Sequence, residues 1–191
     1  MNIGCVVMAS GVSSRFGGNK LLADFGGEPM LARTLRMLPS GLHAVVVTRS
    51  TEVANVAKAL GFACVLHALP NVCDTIRLGL EALGDVSGCL FCVGDQPLLR
   101  RETIERMLVL FEAHSTDIVR AAYEERVGNP VLFPRALFEE LKALRSGESG
   151  GAVIRRYSER VRLARADSAD ELEDVDTREA LMRLQTKAKE R

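Results

Sequence analysis

IGCVVMASGVSSRFGGNK, residues 3–20, joins an apolar run to a loop dense in glycine, hydroxyl and cationic side chains. The run belongs to a strand predicted over residues 2–9. It is apolar throughout, as suits the interior of a sheet covered on both faces. The loop after it is richer than a turn needs. Gly11, Gly17 and Gly18 permit backbone angles that other residues resist. Arg15 and Lys20 bring positive charge to a place where bare N–H groups can also be presented. A strand that empties into such a loop predicts a cradle for an anion rich in oxygens. The plainer alternative is a flexible connection whose Arg15 and Lys20 face water.

The same kind of strand recurs. HAVVVT (43–48), FACVLH (62–67), GCLFCV (88–93) and DIVRAAY (117–123) are apolar or β-branched runs. Amphipathic helices are predicted between them. One covers 29–38, with Pro29 in its first turn. A second carries Val53, Val56, Ala57 and Leu60 on one face. A third carries Ile76, Leu80 and Leu83. A fourth, from about Glu102, carries Ile104, Met107, Leu108 and Phe111. This alternation predicts an α/β protein, a three-layer α/β/α sandwich around a mostly parallel, Rossmann-like sheet. The last third is less regular: PVLF, a helix from Pro134 to about Arg145, the break SGESGG, a short helix, strand-like RVRLARA, and a helix from near Thr177. One domain over 1–191 is expected, with a frayed tail at about 186–191.

Composition narrows the function. The 191 residues include 25 basic and 25 acidic side chains, for zero formal net charge. That argues against general binding to nucleic acid or a membrane surface, which leans on a cationic surplus. Any phosphate site must be local. Four of the five cysteines, Cys5, Cys64, Cys73, Cys89 and Cys92, lie in or beside apolar strand-like runs, as core residues of a reducing compartment do. Cys89 and Cys92 have CxxC spacing, but inside a strand they face opposite sides, which disfavours a redox or zinc pair. With neither a signal-peptide pattern nor an apolar stretch long enough for a membrane helix, the expected location is the cytoplasm.

In an open α/β sheet, ligands sit beyond the carboxyl ends of the strands, where the strand order reverses. With order 3-2-1-4, the opening loop and the loop after strand four, GDQP (94–97), share one crevice. Asp95 then faces Arg15 and Lys20. A carboxylate that held Mg²⁺ would bridge to phosphate oxygens, since Mg²⁺ prefers one or two carboxylates completed by phosphate and water. Asp95 could equally be a turn-capping residue before Gln-Pro. A second acidic cluster, EDVDT (173–177), precedes the last helix; Asp176 is a helix cap or a second metal ligand, and the choice between Asp174 and Asp176 as that ligand stays open. The loop matches neither G-x-x-x-x-G-K-[ST] nor G-x-G-x-x-G, which disfavours P-loop ATPases and dinucleotide dehydrogenases.

MASGVSSRFGGNKLL (8–22) resembles the A-[AG]-G-x-S-x-R-[MF]-G-x-x-K-L loop of nucleotidyltransferases that act on the molybdenum cofactor. GDQPL (94–98) resembles that family's metal loop, GNPVLF (128–133) its G-[HN]-P-V-x-F segment, DVDT (174–177) its D-I-D-T-P element, and TIRLGL (75–80) its S-L-x-x-G-L stretch near the nucleotide. The matches run in order over nearly the whole chain. GDQP and GNPVLF tilt the resemblance towards the molybdenum cofactor cytidylyltransferase branch. Its implied activity is transfer of CMP from CTP to the terminal phosphate of molybdopterin, with Mg²⁺ as cofactor. Lys20 and Arg15 are the implied catalytic cations. Ala9, Ser10, Gly11, Ser13, Thr75 and Gly79 join them around the nucleotide, and Asp95 and Asp176 hold the metal. Ser10 occupies the position that helps distinguish bases, so GTP remains an alternative donor. A molybdenum hydroxylase or its maturation factor would receive the product. His43, His67 and His114 lie in no shared motif and read as structural or surface residues.

Three departures bear on the acceptor side and on the last helix. Thr75 stands where Ser is usual and keeps the hydroxyl. Arg178 replaces a helix-starting Pro, which should loosen that start. GESGGA (147–152) has Ala152 where the family carries an arginine towards the pterin. Arg155, one helical turn on, is the expected substitute, beside Asn129 and Pro130. Three rival activities share part of the pattern. One is another nucleotidyltransferase acting on a sugar or alcohol phosphate. One is a chaperone for the finished cofactor. The last is a glycosyltransferase with Asp174-Val175-Asp176 as its D-x-D.

Overall fold

The opening strand, β1 (Ile3–Ala9), runs through the middle of the sheet in the computed structural model, which describes residues 1–190. β2 (His43–Thr48) and β4 (Gly88–Val93) flank it in parallel, and β3 (Ala63–Leu66) pairs outside β2, also in parallel. With β5 (Ile118–Tyr123), β6 (Arg126–Pro134) and β7 (Val161–Arg165), seven strands run in the order β3-β2-β1-β4-β6-β5-β7. The chain steps outward from β1 to β3, then returns to the far side of β1 as β4. That reversal opens a crevice above the carboxyl ends of β1 and β4.

One strand departs from the expected pattern. The segment read as PVLF is the end of nine-residue β6, antiparallel to both β4 and β5. It forms a hairpin with β5, turning at Glu124 and Glu125, and Glu124 adopts φ 52°. Turns of this kind normally announce themselves with Asn-Gly or Asp-Gly. Glu-Glu gives no such sign, so the hairpin was invisible in the sequence. Because β6 inserts between β4 and β5, the β5 side chains sit two strands from β4.

The strands alternate their apolar side chains between two cores. Cys5, Val7, Val46, Leu90, Cys92 and Leu132 pack against α1 (Met30–Arg36), α2 (Thr51–Ala59), α4 (Arg101–Ala113) and α7 (Arg178–Lys189). Val6, Val45, Val47, Cys89, Phe91 and Phe133 pack against α3 (Val72–Leu83), α5 (Phe138–Lys142) and α6 (Gly150–Arg156). Cys89 and Cys92 thus fall in different cores, and all five cysteines are free thiols. Each fully buried aliphatic or aromatic side chain contributes roughly 1.5–3 kcal/mol. These cores hold the crevice rigid from both sides.

The helix predicted from Pro134 to about Arg145 is shorter and broken: a 3₁₀ turn over Arg135–Leu137 leads into α5. The tail is more ordered than expected, since α7 continues to Lys189 and Lys187 pairs with Asp170 at 2.5 Å. Glu190 follows the helix, and Arg191 lies outside the described residues. Among the described residues, no helix is long and apolar enough to cross a membrane.

Candidate active site at the switch point of the sheet

The loop leaving β1 keeps its backbone open. Phe16 N–H donates to Ser13 C=O at 3.0 Å, closing one turn, while the N–H groups of Val12, Ser13 and Ser14 have no protein partner among the described residues. Gly17 adopts φ 73°, a conformation that glycine takes at no steric cost. Gly11 does not use that freedom, and a Cβ there would meet no protein atom within 4 Å. Ser13 also has positive φ, at 50°, and its hydroxyl accepts from Lys20 N at 3.4 Å. These features shape a concave run of donors facing the crevice.

Lys20 ends the loop and is 8% exposed. Asn19 caps the 3₁₀ turn beyond it, accepting from Leu21 N at 3.2 Å. The Lys20 ammonium lies 2.5 Å from Asp95 Oδ2 and 2.9 Å from Asp176 Oδ1. Burial alone would lower its pKa, but the charge and hydrogen bond of Asp95, then those of Asp176, more than offset this and hold it above the ordinary lysine value. Asp176 is pulled below the ordinary carboxylate range by the Lys20 hydrogen bond, against its partial burial, with the charges of Lys20 and Arg15 adding to the pull. Arg15 completes the group, 2.8 Å from Asp176 Oδ2 on a largely exposed side chain.

Two contacts bring these distant residues together. Gly94 precedes Asp95 and abuts Leu21 and Leu31, where an added Cβ would stand 3.2 Å from each. Val175 N–H donates to the Asp95 C=O at 2.9 Å, clipping the segment before α7 onto the loop after β4. Thr177 then caps α7, its hydroxyl accepting from Ala180 N at 3.2 Å. Arg178 does not leave the helix start loose. Its guanidinium stacks 5.3 Å from the Phe16 ring centre and ties α7 to the opening loop. Asp176 is therefore the residue of the DVD cluster that meets Lys20 and Arg15. Asp174 turns aside, accepting from Gln96 Nε2 at 2.9 Å. Asp174 is exposed as a residue, yet protein crowds its carboxyl on the Gln96 side. That desolvation, with the negative charge of Asp95, pushes its pKa up to about 6.

Asp95 and Asp176 converge on one point, now bridged by Lys20. Among the described residues no three His, Cys, Asp or Glu side chains are grouped to hold an ion unaided. A pair of carboxylates beside an open run of N–H donors fits Mg²⁺, which takes one or two protein carboxylates and fills the rest of its shell from ligand oxygens and water.

A cavity of about 640 Å³ extends from this cluster. Ala9, Ser10, Gly11, Ser13, Arg15, Lys20, Thr75, Asp95, Asn129 and Asp176 all line it. The Thr75 hydroxyl is buried there and has no hydrogen-bond partner. Three residues expected at the site lie elsewhere. Gly79 is under β1, where an added Cβ would stand 2.6 Å from the methyls of Val6; the glycine lets α3 approach the sheet. Pro130 is buried behind Asn129 in β6 and is absent from the lining. Arg155 is on the exposed side of α6, because that helix turns Val153 inward.

Two further residues border the cavities, His67, read from the sequence as structural or surface, and Arg120, which the sequence did not single out. His67 follows β3, and its Nε2 lies 2.9 Å from Ser10 Oγ, which donates its proton to Val47 C=O at 3.1 Å. Nε2–H is then the donor, and the buried Nδ1 is a bare acceptor without a partner. Burial, then the Arg49 charge, lowers the His67 pKa and keeps the ring neutral. His67 and Ser10 line an adjoining cavity of about 380 Å³. The second is Arg120, on β5, in the larger cavity. Neither lies in a motif; only strand order brings them to the site.

Residues 5–162 match the family described as the MobA-like NTP transferase domain. A "Probable molybdenum cofactor guanylyltransferase" of Thermococcus sibiricus is 27% identical over 118 residues, 58% of this chain and 57% of that protein. A "3-deoxy-manno-octulosonate cytidylyltransferase" of Chlorobium phaeovibrioides is 35% identical over 99 residues, 49% of this chain and 40% of that protein. This chain thus spans about half the length of the curated relatives it matches. A nucleotidyl transferase from Methanothermobacter thermautotroptrophicus superposes with a TM-score of 0.83 at 20% identity, covering 97% of this chain and 96% of that one. At that identity the likeness establishes the fold alone.

Proposed function

From the premise that this chain belongs to the MobA-like NTP transferase family, and is a nucleotidyltransferase, we propose that it transfers CMP from CTP to the terminal phosphate of molybdopterin. The observation that carries the reading is the Lys20 ammonium held between Asp95 and Asp176 at the mouth of an open N–H loop. An oxygen of the acceptor phosphate forms a bond to the α-phosphorus. The bond from that phosphorus to the oxygen bridging the β-phosphate breaks, and pyrophosphate leaves with the electron pair. The attacking phosphate is already ionised at neutral pH, so no side chain need take a proton.

Charge gathers on the α-phosphate oxygens and on the departing pyrophosphate, so preorganised cations are the main requirement. Lys20 is suited to the α-phosphate because its stem is buried and its ammonium aimed. Arg15, more exposed, and the N–H groups of Val12, Ser13 and Ser14 suit the β- and γ-phosphates. Asp95 and Asp176 would hold Mg²⁺, which supplies a positive charge shared between carboxylates and phosphate oxygens. The Thr75 hydroxyl offers the nucleotide a hydrogen bond that the protein leaves unmade.

CTP is favoured over GTP by the GDQP and GNPVLF segments and by the cytidylyltransferase relative. The guanylyltransferase relative makes GTP the second reading. The decisive test is incubation with Mg²⁺ and each nucleoside triphosphate radiolabelled at its α-phosphate, with molybdopterin, with a sugar acid, or with neither. Labelled cytidine dinucleotide formed only with molybdopterin supports the proposal. A guanine product, or product only with the sugar acid, overturns the base or the acceptor respectively.

A further inference from the structure

Arg120 is the one cation that β5 and β6 contribute to the larger cavity among the described residues. It stands opposite Val131 of β6, which stands opposite Phe91 of β4, so the three share one row across the sheet. Phe91 and Val131 are buried, and Phe133 meets the Phe91 ring edge-on, with centroids 5.8 Å apart. A guanidinium thus reaches an apolar wall. Its Nε donates to Gly128 C=O at 3.1 Å, which holds the group in place and leaves its two terminal nitrogens to other partners.

The rest of the cavity treats its cations differently. Lys20 is paired with two carboxylates and Arg15 with one, and Arg49 is exposed. Arg120 is half-buried, and its pKa is lowered by burial with no neighbouring carboxylate acting against that. Desolvating a charge without a counter-ion is unfavourable. One bond to a backbone carbonyl could come from a neutral donor and does not account for a guanidinium. Fixed planar donors of this kind suit carboxylate and phosphate.

Distance then separates this group from the reaction centre. Two inter-strand steps of about 4.8 Å put β5 about 10 Å from β4, whose end carries Asp95. Along the strand, Arg120 shares the row of Phe91, four residues before Asp95, so its backbone is set back from the Lys20 cluster in both directions. We propose that Arg120 binds a second anionic group of the acceptor, remote from its attacking oxygen, with the acceptor's body lying against Phe91 and Val131 between the two. The inference rests on the two-substrate reading of the cavity under Proposed function. It assigns the acceptor class: a molecule with two anionic ends, the far one a phosphate, a carboxylate or a comparably charged oxygen or sulfur group.

The test is equilibrium binding of molybdopterin, and separately of a carboxylate-bearing sugar acid, to the full chain loaded with CTP and Mg²⁺, in wild type, Arg120→Gln and Arg120→Lys. A charged hydrogen bond lost from a desolvated site corresponds to about 10- to 100-fold weaker acceptor binding in Arg120→Gln. CTP affinity and melting temperature are expected to stay unchanged, with part of the loss recovered in Arg120→Lys. Wild-type acceptor affinity in Arg120→Gln would overturn the inference, as would an equal loss of CTP binding. If wild type binds the sugar acid but not molybdopterin, the acceptor named under Proposed function falls, and Arg120 is judged on the sugar acid. Binding of neither overturns both.

Discussion

The two halves of the cavity are built on opposite electrostatic principles. Around β1 and β4, each charge that faces the centre is matched: Lys20 lies between Asp95 and Asp176, and Arg15 shares Asp176. Around β5 and β6, one guanidinium stands against an apolar wall with no carboxylate. In the proposed reaction the matched half would exchange these partners for a triphosphate and a cation. The unmatched half offers the terminal guanidinium nitrogens of Arg120, which have no carboxylate partner among the described residues. The two regions are separated by about two strand spacings.

Removing the cation at the centre of the matched half is the strongest way to break this contrast. Lys20→Ala is expected to lower kcat by about 10²–10³-fold, the cost of losing one preorganised charge at a reacting centre, while CTP affinity falls far less. Steady-state kinetics beside direct CTP binding would check it. Equal losses in both would make Lys20 a uniform binding residue, no different in kind from Arg120.

A subtler break targets the floor beneath the matched half. Gly79→Ala places a methyl 2.6 Å from the branched, stiff side chain of Val6. Overpacking of this sort costs roughly 1–3 kcal/mol. Denaturant unfolding should show that loss, with the KM for CTP little changed, because Gly79 supports the sheet and does not line the cavity. A large KM effect at unchanged stability would return Gly79 to the nucleotide.

The contrast also explains what the sequence revealed. The matched half is built from short contiguous signals. GVSSRFGGNK follows a strand, GDQP follows another, and the reversal of strand order needed only the alternation of elements to be seen. Asp176 was named as a candidate, but its arrival depends on one long-range hydrogen bond, Val175 N–H to Asp95 C=O, which leaves no local trace. The unmatched half is assembled by the β5–β6 hairpin, whose Glu124-Glu125 turn lacks the usual residues. Arg120 lies within the strand DIVRAAY and belongs to no motif. Arg155 was chosen by helical spacing from Ala152, but spacing within α6 says nothing of which side faces the sheet.

The smallest expected effect lies at the edge of the matched half. Asp174 has a carboxyl pKa raised from 3.8 to about 6, so folding binds its proton more tightly than the unfolded chain does. The contribution of Asp174 to stability therefore falls as pH rises from about 4 to about 6, and its full penalty is present above that window. Asp174→Asn should be more stable than wild type at pH 7 in EDTA, with the gain vanishing below pH 4. Solvent around this exposed residue keeps the gain under about 1 kcal/mol. Urea unfolding at several pH values would measure it, and a pH-independent difference would contradict the assigned cause.

The central claim is that Asp95 and Asp176, 81 positions apart in sequence, act as one cation-holding pair with Lys20 between them. Its most direct test is the Mg²⁺ dependence of labelled dinucleotide formation in Asp95→Asn, Asp176→Asn and Asp174→Asn. The account predicts that the first two raise the Mg²⁺ requirement by about tenfold or more, while Asp174→Asn keeps it at the wild-type level. A wild-type requirement in Asp176→Asn, or a loss in Asp174→Asn as large as that in Asp95→Asn, would contradict it.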